Sequence, residues 1–156
     1  MPSTEQIQQE LIKKFKYLEG SVKTPRPRRI SVDVGLENFM QVFDFAVEQL
    51  KFDHLCTITG LDEQERLTFI YHLSRVCGEG FTLSIRTSAP KQNPVIKTVM
   101  PYFPGAEIYE REIMDLLGAK VEGLPEGNRY PLTDDWPKDE FPLRKDWKPK
   151  NGEVTP

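Results

Sequence analysis

Only two cysteines, Cys56 and Cys77, occur in 156 residues. They make no disulfide framework for a chain of this size and suit a reducing compartment, and an iron–sulfur cluster, which typically takes four cysteine ligands, is excluded. No apolar run approaches the 18 or more residues of a membrane span, and the opening MPSTEQIQQELIKKF lacks the charged start and apolar centre of a signal peptide. A cytoplasmic protein is therefore expected. Phosphate-binding glycine loops are missing too, since GEG at 78–80 fits neither GxxxxGK[ST] nor GxGxxG, and no GxSxG elbow marks a nucleophile. Net charge is small, −3, which gives no general attraction to nucleic acid. An RNA-binding module would have to rest on the one basic cluster, Arg26, Arg28 and Arg29, and the negative balance argues against it, so no nucleic-acid partner is expected.

What is present reads as one α+β domain. Ser3 and Gln6 have capping-box spacing, and Ile7, Leu11, Phe15 and Leu18 form a stripe that predicts a helix over 3–18, stopped at Gly20. Pro25 and Pro27 break the chain. Ile30, Val32 and Val34 then alternate as a half-buried strand. Residues 37–50 are helical in spacing, with Phe39, Phe43, Ala46, Val47 and Leu50 inward. Two β-rich runs, 54–59 and 67–73, flank the polar turn GLDEQER as a hairpin, and Phe81, Leu83 and Ile85 mark a further strand. Asn93 and Pro94 are placed to cap and open a short helix, and another is expected from near Pro104 to Leu117, with Gly118 as its stop. The order implies a two-layer fold, a roughly four-stranded sheet covered by helices. The expected divisions are an N-terminal helix over 1–20, an α+β core over 28–118 and a long extended tail over 119–156.

That tail holds six prolines and three glycines in 38 residues, yet also Trp136, Phe141 and Trp147. A structureless stretch of that length is uncommon in a compact domain, and this one is too aromatic for a solvated linker. A segment that binds a partner is expected. Its run PLRKDW, Pro142, Leu143, Arg144, Lys145, Asp146 and Trp147, combines a forked guanidinium with an indole, the side chains that anchor interfaces. A second charged cluster lies in YEREIMDLLG. On a helix Arg111 and Asp115 are four apart and can pair, Glu112 and Asp115 share a face with Ile108, and Ala106, Tyr109, Ile113 and Leu116 form the opposite apolar stripe.

Two enzyme-like readings compete with an interface. His54, Cys56, His72 and Cys77 have the composition of a zinc site but not its spacing, so partly buried strand residues are the better reading. The carboxylates Glu110, Glu112 and Asp115 could serve a stand-alone metal-dependent enzyme. Paired-carboxylate chemistry, however, needs groups from separate elements across a cleft.

EREIMDLLG and, 24 residues beyond its glycine, PLRKDW together resemble the conserved block of the 30-kDa subunit family of complex I, the respiratory NADH:quinone oxidoreductase. The matching residues are Glu110, Arg111, Glu112, Asp115 and Gly118, then Arg129, Asp135, Trp136 and Pro142 to Asp146. CTITGLDEQERLTFIYHL resembles that family's hairpin. Ile108 stands where the respiratory subunits usually have Trp, and VEGLPEGNRYPLTDDWP resembles more closely the version carried by energy-converting membrane-bound NiFe hydrogenases. The resemblance implies a non-catalytic subunit of a cytoplasmic peripheral arm, at the inner face of the membrane. It would dock on the catalytic large subunit beside the iron–sulfur small subunit, with the membrane arm reached indirectly. No cofactor bound by this chain is implied. Iron–sulfur clusters, and NiFe in the hydrogenase branch, would lie in its neighbours.

Overall fold

A computed structural model describes residues 3–75 and 80–149. Its elements are α1 (Thr4–Lys14), β1 (Val22–Arg26), β2 (Arg29–Asp33), α2 (Phe39–Glu48), β3 (His54–Asp62), β4 (Arg66–Ser74), β5 (Thr82–Pro90), β6 (Val95–Lys97), α3 (Ala106–Leu117) and β7 (Lys120–Glu122). Single 3-10 turns at Lys16–Leu18 and Leu36–Asn38 extend α1 and precede α2. The capping box forms as spaced, with Gln6 N–H donating to Ser3 Oγ at 3.3 Å and Ser3 N–H to Gln6 Oε1 at 2.6 Å.

The main sheet has five strands in the order β1-β2-β5-β4-β3, one more than expected. β2 runs parallel to β5, and every other pair is antiparallel. The additional strand is β1, which contains Pro25. Proline cannot donate to a ladder, but β1 is an edge paired only with β2, where a missing N–H is tolerated. The short helix expected from Asn93 and Pro94 is not formed. Residues 95–97 instead make β6, which pairs in parallel with β7 from the start of the tail. Two three-residue strands are too short to show an alternation.

One core joins the layers. Ile7 and Leu11 of α1, Phe39, Val42, Phe43 and Ala46 of α2, and Ala106, Ile113 and Leu117 of α3 pack on the inward residues of the sheet. Among these are Val32, Leu67, Phe69, Tyr71, Leu83 and Ile85, each fully buried. Tyr71 lies at the aromatic centre, its ring 4.6 Å from Phe39 and 5.7 Å from Phe43 between centroids. Such tilted and edge-on pairs add to area burial. The sheet's other face is mostly hydroxyl and charged side chains, so the domain is two-layered, as patterned.

α3 crosses close to β3. A Cβ on Gly60 would collide with Leu117 Cδ1 and lie 3.1 Å from Ile113 Cγ2, so glycine there sets the helix-to-strand approach. Gly118 ends α3 in the left-handed conformation at φ +73°.

Candidate functional site

The charges of α3 and of the tail meet at one junction, but not in the pairs that helical spacing suggests. Arg111 donates to Glu107 Oε1 through Nε and Nη2 at 3.0 and 2.9 Å, and Nη2 reaches the Pro125 carbonyl at 2.8 Å. Its partner is thus one turn before it rather than Asp115. A Cβ on Gly127 would collide with this guanidinium, so the tail passes directly over it. Asp115 pairs instead with Arg129 Nε at 3.2 Å and accepts the Leu132 N–H at 3.2 Å. Arg129 Nη1 also donates to the Trp136 carbonyl at 2.5 Å. No residue nearer in sequence foretells this pair, because 14 residues of irregular chain separate its members.

The second half of the tail closes the junction. The Leu143 N–H donates to the Leu116 carbonyl at 3.0 Å, and Arg144 Nε donates to the Leu117 carbonyl at 2.7 Å. Two carbonyls left open at the end of α3 are thereby satisfied by chain more than 25 residues away. The Arg144 guanidinium lies 4.6 Å above the Phe141 ring. A side chain at residue 118 would collide with both, at 2.7 Å from the Phe141 ring and 2.8 Å from Arg144 Nη2, so Gly118 is required for space as well as for its φ. Trp136 and Trp147 pack with centroids 5.9 Å apart, and both indole N–H groups donate to Glu140, to its carbonyl at 2.9 Å and to Oε2 at 3.2 Å respectively. Pro142, half-buried, precedes the turn that presents Leu143 to solvent.

A buried ion pair fastens the end of PLRKDW to the sheet. Lys91 Nζ is 2.8 Å from Asp62 Oδ2 and 2.9 Å from Asp146 Oδ1. Asp62 also accepts the Lys145 N–H at 2.8 Å and the Gln64 N–H at 2.8 Å. Burial pushes the Asp62 carboxyl up, but the Lys91 bond and the two backbone donors outweigh it and hold the group below the usual carboxylate range. The Asp62 bond, against the opposing effect of burial, raises Lys91. Neither Asp62 nor Lys91 stands out in the sequence, since the partners of Lys91 lie 29 and 55 residues from it.

Glu110 behaves unlike the rest of its motif. It is 0% exposed, accepting from Thr98 Oγ1 at 2.6 Å and from the Val99 N–H at 2.7 Å. The buried stripe of α3 is Ala106, Glu110, Ile113 and Leu117, at spacings of four, three and four, and Tyr109 and Leu116 flank it. The signal is there in the helical period, but a glutamate at a stripe position reads as exposed on charge alone. Burial raises the Glu110 carboxyl, with the two hydrogen bonds opposing and the Glu107 charge adding. The buried Tyr71 hydroxyl has no hydrogen-bond partner among the described residues, and burial followed by the Glu110 charge pushes its pKa up as well.

A pH dependence follows from Glu110. Its folded pKa lies above the unfolded value of 4.5, so the unfolded chain ionises first, and stability falls as pH rises from 4.5 through the folded pKa. Glu110→Gln keeps an acceptor for Val99 without the buried charge. Its stability relative to wild type should rise from about pH 4 to about pH 7 in urea denaturation. Glu110→Ala, which orphans the Val99 N–H and opens a cavity, should lose about 2–4 kcal/mol at both. Equal losses in the two variants would show that the charge itself is needed.

Glu112 is the exception at the junction. It is half-buried, and its side chain has no ion pair or hydrogen bond among the described residues. It lines a groove of about 280 Å³ between β3 and α3, with Thr57, Gly60, Ile113, Leu116 and Leu143. Leu143 is 56% exposed and Ile108, further along α3, 54%. Glu110, Glu112 and Asp115 thus occupy three environments, the core, the groove and the Arg129 pair, and do not converge on one point. Among the described residues no group of three or more His, Cys, Asp or Glu could hold a metal ion. Of the zinc candidates, Cys56 is exposed at an irregularity of β3, His54 is exposed at the start of that strand, and His72 bonds Thr59 and Ser84 on the outer face. Cys77 lies outside the described residues.

Comparison with known proteins agrees with the motif. A subunit of the F(420)H(2) dehydrogenase of Methanosarcina mazei is 30% identical over 144 residues, 91% of this chain and 90% of that one. The membrane-bound hydrogenase subunit beta from Pyrococcus furiosus is 31% identical over 152 residues, 95% of this chain and 88% of that one. A chain in the structure of the membrane-bound sulfane sulfur reductase, an archaeal respiratory membrane complex, superposes with a TM-score of 0.77 at 27% identity, covering 92% of this chain and 85% of its own. Residues 32–153 match the family described as respiratory-chain NADH dehydrogenase, 30 Kd subunit, and with the α3–tail junction in place the chain belongs to that family, whose relatives serve complex I-like and hydrogenase redox complexes.

Proposed function

We propose that this chain is a non-catalytic structural subunit of an energy-converting NiFe hydrogenase complex, docked on the catalytic large subunit at the inner face of the membrane. The observation that carries the docking is Glu112, the one α3 charge whose side chain has no partner among the described residues, beside the exposed Leu143. Arg111, Asp115, Arg129, Arg144 and Asp146 are engaged within the chain, where they hold the tail against α3. Burying Glu112 without a cation would be strongly unfavourable, so the large subunit supplies an Arg or Lys flanked by apolar side chains. The hydrogenase assignment rests on the VEGLPEGNRY stretch and on the likeness to the Pyrococcus subunit along nearly the whole chain. No described helix is long and apolar enough to cross a membrane, so attachment is through the other subunits. Iron–sulfur clusters and nickel reside there as well.

Glu112→Lys combined with Leu143→Asp should leave the melting temperature of the isolated chain within a few degrees of wild type, since Glu112 is only half-buried and unpaired and Leu143 is exposed. Co-purification of the large subunit in mild detergent should be lost. Retention of the partner would remove the groove from the interface. Mass spectrometry of the wild-type complex decides the branch: nickel-ligating CxxC pairs in the large subunit are expected, and their absence would assign the chain to NADH:quinone oxidoreductase instead.

A further inference from the structure

The β1–β2 hairpin breaks two local rules together. Arg26 stands directly opposite Arg29 in the ladder, an arrangement of like charges that destabilises a strand pair. Arg28, in the turn between them, has φ +61°, a left-handed conformation that side chains other than glycine seldom adopt. Departures of this kind accumulate at functional positions, where something other than folding selects the residue.

The hairpin borders a cleft of about 530 Å³ on the outer face of the sheet. Lys23, Arg26, Arg29, Arg86 and His72 line it, with one carboxylate, Asp33. Arg86 is held by Asp33 and Glu63, so its charge is compensated. Arg29 donates to Thr82 Oγ1 at 3.1 Å, and among the described residues Lys23, Arg26 and Arg29 have no carboxylate partner. Three uncompensated cations are thus gathered at one cleft in a chain of net charge −3. Between the charges the lining is mixed, Ser31 and Ser84 with Pro25, Ile30 and Ile70, and His72 is fixed between Thr59 and Ser84 at 3.1 Å each.

We propose that this cleft docks an extended acidic segment of another protein, its carboxylates pairing with Lys23, Arg26 and Arg29. In an extended strand same-side carboxylates recur about 7 Å apart, a spacing that suits a sheet surface. Two other anionic partners fit less well. Nucleic acid is held on sheets by aromatic side chains that stack bases, and no Phe, Tyr or Trp lines this cleft. A membrane surface favours a convex basic patch with apolar anchors, whereas the cationic groups here rim a concavity. The cleft shares no residue with the Glu112 groove, so this inference stands apart from the docking of the large subunit.

The test is titration of the full chain, followed by ¹H–¹⁵N NMR, with a ten-residue peptide of alternating Glu and Thr. Parallel titrations use a ten-nucleotide single-stranded RNA and phosphatidylcholine vesicles containing phosphatidylglycerol. Saturable peptide binding is expected, with Kd below about 1 mM and shifts confined to Lys23, Arg26, Arg29, His72 and their neighbours. Arg26→Glu with Arg29→Glu should weaken it at least tenfold, while Lys13→Glu on α1 should not. No saturation by the peptide, tighter binding of RNA or vesicles, or equal affinity in the double variant would each overturn the proposal. Both substituted arginines are exposed, and a wild-type spectrum away from the hairpin verifies that the double variant is folded.

Discussion

Replacing Lys91 with methionine should lower the unfolding free energy by about 3 kcal/mol, seen as a fall in melting temperature of roughly 6–12 °C. Methionine retains much of the apolar stem, so packing is nearly conserved and the loss reports on charge. What remains is a carboxylate, Asp62, whose side chain is 1% exposed and whose other donors among the described residues are the N–H groups of Gln64 and Lys145. Breaking one side of a buried pair is costly because the other side is stranded, so Lys91→Met with Asp62→Leu should recover much of the loss. Asp146, at the surface, adds position to the latch more than energy. The pH profile gives an independent check. Asp62 has a lowered folded pKa, so its contribution is present above the unfolded value of 3.8 and is lost as pH falls through the folded one. Lys91 has a raised folded pKa, so its contribution is present below 10.5 and is lost as pH rises through the folded value. The difference between wild type and Lys91→Met should therefore be flat between those limits and shrink in acid. A variant that unfolds with wild type at neutral pH would show that the tail is held by other contacts.

The sequence disclosed what is local. The capping box, the burial of Ile7, Leu11, Phe15 and Leu18 and the alternation in β2, β4 and β5 each depend on residues a few positions apart, and all form as patterned, although the helix expected to 18 ends at Lys14 and Leu18 is reached through a separate 3-10 turn. The same holds for Gly118. Its neighbours Phe141 and Arg144 supply a second reason for glycine that no local pattern contains. β1 is hidden because Pro25 argues against a strand unless that strand is known to be an edge, which is a property of the whole sheet. Glu110 is hidden by its charge, although its helical phase with Ala106, Ile113 and Leu117 places it in the core. The tail's aromatic residues and Arg144 predict a segment that docks, but no local pattern reveals that the surface they meet includes this chain's own α3. Pairings such as Arg129 with Asp115 and Lys91 with Asp146 are set by tertiary proximity and leave no periodic trace.

Ending the chain after Gly118 should cost roughly 4–6 kcal/mol, enough to remove much of the stability of an ordinary domain. The truncation leaves Asp115, 12% exposed at its side chain, without Arg129 and without the Leu132 N–H. It opens β6 by removing β7, frees the Leu116 and Leu117 carbonyls at the end of α3, and withdraws the Asp146 and Lys145 contacts from the Lys91–Asp62 pair. On the sequence alone the tail looks separable, and its removal would spare the fold while abolishing co-purification. With the tail folded back on the domain, loss of a partner after truncation would not distinguish a missing interface from an unfolded subunit. Denaturation of the truncated chain resolves the point, because a cooperative transition at the wild-type urea concentration would mean that the tail contributes little to folding and its contacts are incidental. The expected early transition would instead make the groove variant at Glu112 and Leu143 the decisive probe of assembly. That pair leaves the Arg129, Arg144 and Lys91 contacts in place and alters only what faces outward.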